Sequence, residues 1–211
     1  MILDSLIEWD KAATLWINSF HCRFSDQLFF FLSDRKVMIP FYALVAYFLV
    51  RRLGWKKAVV VIVSLALTIL ACDQFGNLIK NTVGRLRPCY NMDMLTGGLH
   101  QLEGRGGFYG FFSAHAANAF GFALCALIGF RNDKTLRYRH FAFFVIIWAI
   151  LIGLSRIFSG KHFLGDVLVG FMVGAIFGTL IGCAARLIIN RLFRAQDNYL
   201  HFSFSPFQYF Q

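Results

Sequence analysis

"FLGDVLVGFMVGAIFGTLIGCAARLIIN", residues 163–190, is the stretch whose reading decides the fold. It is apolar over more than the roughly 20 residues that a helix needs to cross a bilayer. Its only charged residues are Asp166 near one end and Arg186 near the other. Gly170, Gly174, Gly178 and Gly182 recur at every fourth position. That spacing makes a ridge of small residues along one helix face, on which a second helix can pack closely. The stretch reads as a membrane-spanning helix inside a packed bundle.

Working outward, four more apolar runs follow the same pattern: residues 37–53, 58–79, 111–130 and 141–158. Pro40 stands near the start of the first, where its missing N–H does little harm. Residues 2–20 read as an amphipathic helix, with Leu3, Leu6, Ile7, Trp9, Ala13, Leu15, Trp16 and Phe20 set against Asp4, Glu8, Asp10 and Lys11. Such a segment favours the bilayer interface. Residues 24–34 either cap a first span starting near Ala12 or form a half-buried hairpin. The expectation is an all-α integral membrane bundle with about six transmembrane helices. One domain covers residues 1–194, with residues 1–34 as its amphipathic or first-span segment, and residues 195–211 form an aromatic tail.

Composition agrees: 58% of residues are hydrophobic and only 15% are charged, with mean hydropathy +0.59. A net charge of +10 would suggest nucleic acid in a soluble chain. Here no long basic face exists to carry a phosphate backbone, so no nucleic-acid partner is expected. The basic residues instead gather in short loops: Arg51, Arg52, Lys56 and Lys57; then Arg131, Lys134, Arg137 and Arg139; then Arg186, Arg191 and Arg194. Alternating spans put all three groups on one side, which the positive-inside rule makes cytoplasmic. The chain is therefore expected to be multi-pass, with its opposite end facing the periplasm or exterior. Asp4, Glu8 and Asp10 argue against a secretory leader. Five cysteines without a CxxC suggest neither a disulfide framework nor a zinc site.

Three stretches converge on that opposite end: "KNTVGRLRP" (80–88), "FFSAHAAN" (111–118) and "SRIFSGKHFLGD" (155–166). They bring Lys80, Arg87, Arg156 and Lys161 together with His115, His162 and Asp166. Arginine offers bidentate donation to phosphate oxygens and lysine a point charge. Ser113 opens a helix whose free first-turn N–H groups favour an anion. His162 attacks phosphorus only as a neutral imidazole, and Asp166, one helical turn on, can hold its other ring N–H. His115 can protonate the leaving oxygen.

Singly, each residue has a duller reading. Lys80 could snorkel, Arg87 could serve a turn before Pro88, His115 could cap its helix, and His162–Asp166 could be a structural hydrogen bond. Jointly, spacing and sidedness favour the anion site. Arg85 and Arg105 read as loop charges outside it, and His21, His100, His140 and His201 as surface or interface groups.

These motifs resemble the type 2 phosphatidic acid phosphatase superfamily, whose pattern is K-x6-RP, then PSGH, then SR-x5-H-x3-D. Lys80, Arg87 and Pro88 match the first part, and Ser155, Arg156, His162 and Asp166 the third. The second departs: Phe112 stands for the Pro and Ala114 for the Gly, while Ser113 and His115 remain. The resemblance implies a nucleophile at His162 that becomes a phosphohistidine, and a general acid at His115. Lys80, Arg87, Ser113, Ala114 and Arg156 would surround the phosphate, with no metal and no other cofactor. The implied substrate is a lipid phosphate, undecaprenyl diphosphate or lipid A foremost, then phosphatidylglycerophosphate or phosphatidic acid. No obligate protein partner is indicated. Rival readings are a lipid phosphotransferase with a polyprenyl diphosphate donor, a lipid-phosphate binding or transport protein, and a metal site on His115, His162 and Asp166.

Overall fold

The computed structural model describes residues 2–202. The helices are α1 (Ile2–Asn18), α2 (Arg23–Ser33), α3 (Arg35–Val83), α4 (Met92–Thr96), α5 (Ala114–Phe130), α6 (Arg139–Phe158) and α7 (Leu164–Phe202), with a 3-10 turn at Pro88–Tyr90. Residues 36–83, 139–158 and 164–193 are long and apolar enough to cross a membrane, and α5 is shorter but apolar. The all-α membrane bundle expected from the sequence is present. The tail expected over 195–211 continues as α7 backbone to Phe202, and its remainder lies outside the described residues.

The two runs expected at 37–53 and 58–79 are limbs of α3, with no loop between them. Gly54 breaks the helical path with φ 73° and ψ 158°, a conformation that glycine adopts without a Cβ penalty. The first limb lays Phe41 against Trp148 of α6, ring centroids 4.2 Å apart. The second meets α5, where a Cβ built on Gly129 would stand 2.4 Å from Val61. Arg52, at the turn between the limbs, projects its field onto Asp133 and Tyr138, so the basic segments 51–57 and 131–140 share one end of the bundle.

The glycine ridge packs on α5. A Cβ on Gly170 would come 2.6 Å from Ser113 O, one on Gly174 2.3 Å from Ala117 O, and one on Gly178 2.3 Å from Gly121 O. Both partners advance by four residues together, so α5 and α7 run parallel and start at the same end. The expected run 111–130 becomes helical only at Ala114, because Ser113 is the N-cap.

The segment 12–34 is not one continuous helix. It is divided at residues 19–22 between α1 and the short α2. In α1 the amphipathicity is inverted relative to a soluble helix: Leu3, Leu6, Trp9 and Trp16 are exposed, whereas Thr14 and Asn18 are buried. An apolar face turned outward suits lipid, and the polar stripe turns toward the bundle.

Candidate active site

His162 lies in the short connection between α6 and α7, one residue beyond Lys161 and two before α7 begins. The chain turns there at Gly160, φ 68°. The sequence reading put His162 and Asp166 on one helix; instead Asp166 sits in the first turn of α7 and faces back to His162 across the helix entrance. His162 Nδ1 stands 3.5 Å from Asp166 Oδ2. That is an electrostatic contact, too long for a good hydrogen bond, and Nδ1 has no hydrogen-bond partner among the described residues. His162 is 3% exposed. Burial pushes its pKa down to about 4, against the opposing pull of Asp166 and with Arg156 and Arg87 adding to the depression. At neutral pH the imidazole is therefore uncharged and keeps a lone pair.

The cations gather around it. Arg156 donates to Glu103 Oε1 at 3.3 Å, and Lys161 Nζ lies 3.8 Å from Glu103 Oε2. Lys161 also donates to the Gly104 carbonyl, and burial lowers its pKa. Arg87 donates through Nε to Tyr109 O at 3.1 Å. A Cβ on Gly106 would stand 3.3 Å from an Arg87 terminal nitrogen and 3.5 Å from Lys161 Nζ, so both cations approach that glycine. Gly110 is held between Arg87 and Asp166, where a Cβ would meet them at 2.9 and 3.4 Å.

Ser113 joins the site through its backbone: its N–H donates to Asp166 O at 2.9 Å. Its hydroxyl, fully buried, accepts from Ala116 N–H at 3.4 Å as the N-cap of α5. Ala114 and His115 follow in the first turn of α5, both half-buried, and half-buried Lys80 stands in the last turn of α3. Phe112, at the position of the expected Pro, is buried with its ring 5.9 Å from Phe75.

Three residues of the site escaped the sequence reading. Arg85, read as a loop charge outside the site, donates to Asp166 Oδ1 at 2.7 Å and to Asp10 Oδ2 at 2.6 Å. Asp10 belongs to α1, far away in sequence, and was read only as part of a polar face. Glu103 is the carboxylate among the cations. Arg85 lies two residues before Arg87, and Asp10, Thr14 and Asn18 are spaced by four; that spacing was the available signal.

Among the described residues, the His/Cys/Asp/Glu group close enough to share a metal ion is His21, Asp26 and His100, not the set of His115, His162 and Asp166. The His21 and His100 rings stack 3.9 Å apart at 11°, and His100 Nε2 lies 3.1 Å from Asp26 Oδ2.

Beside the site a groove of about 950 Å³ opens between α1, the end of α3 and the start of α7. Leu6, Ile7, Phe111, Phe163, Leu168 and Val169 line it, with Asp10 and Arg85 among its charged residues. A helical membrane bundle that ends in a buried histidine, ringed by cations and flanked by an apolar groove, suits an anionic lipid head, and the family and relatives of the chain make it a membrane phosphatase. The chain belongs to the PAP2 superfamily, whose profile matches residues 57–189. It is 32% identical to a lipid A 4'-phosphatase of Bacteroides thetaiotaomicron over 193 residues, 90% of this chain and 83% of the relative. It is 27% identical to a lipid A 4'-phosphatase of Porphyromonas gingivalis over 183 residues, 85% of this chain and 74% of the relative. The fold is similar to that of a PAP2-type phosphatidylglycerolphosphate phosphatase from Bacillus subtilis, with TM-score 0.67, 16% identity, and 87% and 88% of the two chains covered. It is also similar to LpxE of Aquifex aeolicus, with TM-score 0.58, 21% identity, and 81% and 92% covered.

Proposed function

We propose that this membrane phosphatase removes a phosphate from lipid A, on the periplasmic side, through a phosphohistidine at His162. Nε2 of neutral His162 attacks phosphorus and a P–N bond forms. The P–O bond to the lipid breaks, and His115 gives its proton to the departing oxygen. The imidazolium that results holds its Nδ1 proton toward Asp166, whose charge offsets it. Water then attacks phosphorus, returns a proton to His115, and the P–N bond breaks to release phosphate. Lys80, Arg87 and Arg156, with the amide end of α5 behind Ser113 and Ala114, would neutralise the phosphoryl oxygens as charge builds.

The observation that carries this reading is the buried His162, whose Nδ1 stands 3.5 Å from Asp166 Oδ2. The names of both relatives favour lipid A over undecaprenyl diphosphate. The apolar groove gives an acyl chain a place beside the phosphate, and the basic segments at the opposite end support a periplasmic site.

The test uses purified protein with lipid A, undecaprenyl diphosphate, phosphatidylglycerophosphate and phosphatidic acid, each phosphate-labelled. Fastest release of free phosphate from lipid A is expected, with an acid-labile, base-stable phosphoprotein trapped under alkaline quench and abolished by His162→Ala. Label passing to a second lipid would make the enzyme a phosphotransferase. Label surviving in His162→Ala would refute the nucleophile.

A further inference from the structure

Where α6 ends and α7 begins, buried backbone groups need partners from outside their own helices. At the start of α7, the N–H of Leu164 donates to Thr14 Oγ1 at 2.9 Å and that of Gly165 to Asp10 Oδ1 at 2.8 Å. The third, Phe163 N–H, donates to Asp166 Oδ2 at 3.1 Å. At the end of α6, Asn18 Nδ2 donates to the carbonyls of Ile157 and Phe158 at 3.0 and 3.3 Å. Asn18 also exchanges two hydrogen bonds with the backbone of His100, at 2.8 and 3.1 Å. Asp10, Thr14 and Asn18 are spaced by four on α1 and so form one stripe. That stripe grips both sides of the connection carrying His162.

The stripe also reaches the site through charge. Arg85 bridges Asp10 and Asp166, and its guanidinium lies 4.0 Å from the Phe163 ring centre. With Oδ1 of Asp166 held by Arg85, Oδ2 is the oxygen left facing His162 Nδ1. Gly165 permits the approach: a Cβ there would stand 2.9 Å from Asp10 Oδ2.

We propose that α1 is a positioning element of the active site, in which Asp10, acting through Arg85 and the Gly165 amide, aims Asp166 at His162. The proposal rests on the assignment of His162 as nucleophile. Asp10 is a positioning residue: it acts on Asp166 through Arg85. Its loss should therefore lower kcat and leave KM nearly unchanged, because a displacement of about 1 Å at reacting groups can cost about 10²-fold in rate.

The test is steady-state kinetics of the full chain in lipid nanodiscs on a soluble aryl phosphate. Asp10→Asn keeps an acceptor for Gly165 N–H but loses the charge on Arg85. An approximately tenfold fall in kcat with KM within about twofold is expected. Arg85→Lys should keep part of what Arg85→Gln loses. The double variant Asp10→Asn/Arg85→Gln should be no slower than Arg85→Gln alone, since coupled residues are not additive. Thr14→Val removes an acceptor without a charge change and should also lower kcat, while exposed Glu8→Gln on the same helix should change nothing. Thermal unfolding in the same discs identifies any variant that fails to fold. Unchanged kcat in folded Asp10→Asn and Thr14→Val, or full additivity in the double variant, overturns the proposal. Trapping of the wild-type phosphoprotein is read separately. Its absence would remove His162 as nucleophile, whereas the kinetics of the α1 variants decide the role of Asp10.

Discussion

The amide of Ser113 donates to the carbonyl of Asp166 at 2.9 Å, and this one bond fastens the entrance of α5 to the entrance of α7. The two helices run parallel from that point, and the glycine ridge sets their separation. The ridge is therefore part of the site's geometry as well as of the fold.

Gly174→Ala should destabilise the protein by about 1–3 kcal/mol, the usual cost of overpacking. The added methyl would meet the Ala117 carbonyl at 2.3 Å, and backbone cannot swing aside. Gly182→Ala should cost less, because its nearest neighbours stand at 3.2 Å and include the Ile128 side chain. Unfolding midpoints of the two variants in one detergent make the comparison, and equal losses would contradict it.

Stability should fall with acid in a defined window. His162 has its pKa lowered from 6.5 to about 4 in the folded chain. The unfolded state therefore binds the extra proton between those values. The contribution is fully present above about pH 6.5 and is lost as pH drops toward 4, on the order of 3 kcal/mol in all. His162→Gln should flatten this slope, which denaturant unfolding at a series of pH values would measure.

His115→Ala should lose about 10²–10⁴-fold on a lipid phosphate, the typical worth of a general acid. It should lose far less on an activated aryl phosphate, whose leaving oxygen needs no proton. Parallel losses on both substrates would remove His115 from that role.

Glu103 accepts from Arg156 and lies close to Lys161, so it competes with a phosphate for the same cations. Glu103→Gln should strengthen inhibition by inorganic phosphate by up to about fivefold, the scale of a part-exposed ion pair. Inhibition constants at fixed ionic strength test this, and weaker inhibition would mean that Glu103 serves mainly to place Arg156.

For sidedness, single cysteines at Thr96 and Lys134, each in a background lacking the exposed Cys22 and Cys183, should label differently in intact cells. An impermeant thiol reagent should reach position 96 and spare position 134. The opposite pattern would turn the proposed orientation over.

Much of this was legible from residues alone, for a physical reason. The glycine period, the long apolar runs and the cluster at 155–166 are local patterns, and a helix converts local spacing into a face. Arg85 was misread because its meaning depends on Asp10 and Asp166, which lie far from it along the chain and meet it only in three dimensions. Glu103 stood alone in a polar loop, with no periodicity to say what it faced. The expected loop at 51–57 proved to be a turn at Gly54, since a single residue of positive φ suffices to fold the chain back.

Helix α1 presents tryptophan and leucine to its surroundings and turns its polar stripe inward. Once water replaces lipid around it, such a helix is held by that stripe's hydrogen bonds and the Asp10–Arg85 pair. The support of the His162 connection is then weaker by whatever the hydrocarbon around Leu3, Leu6 and Trp16 contributed. Solubilisation becomes a chemical variable of the reaction: a micelle that wets α1 poorly should slow turnover while the rest of the bundle stays folded, and returning bilayer lipid should restore it.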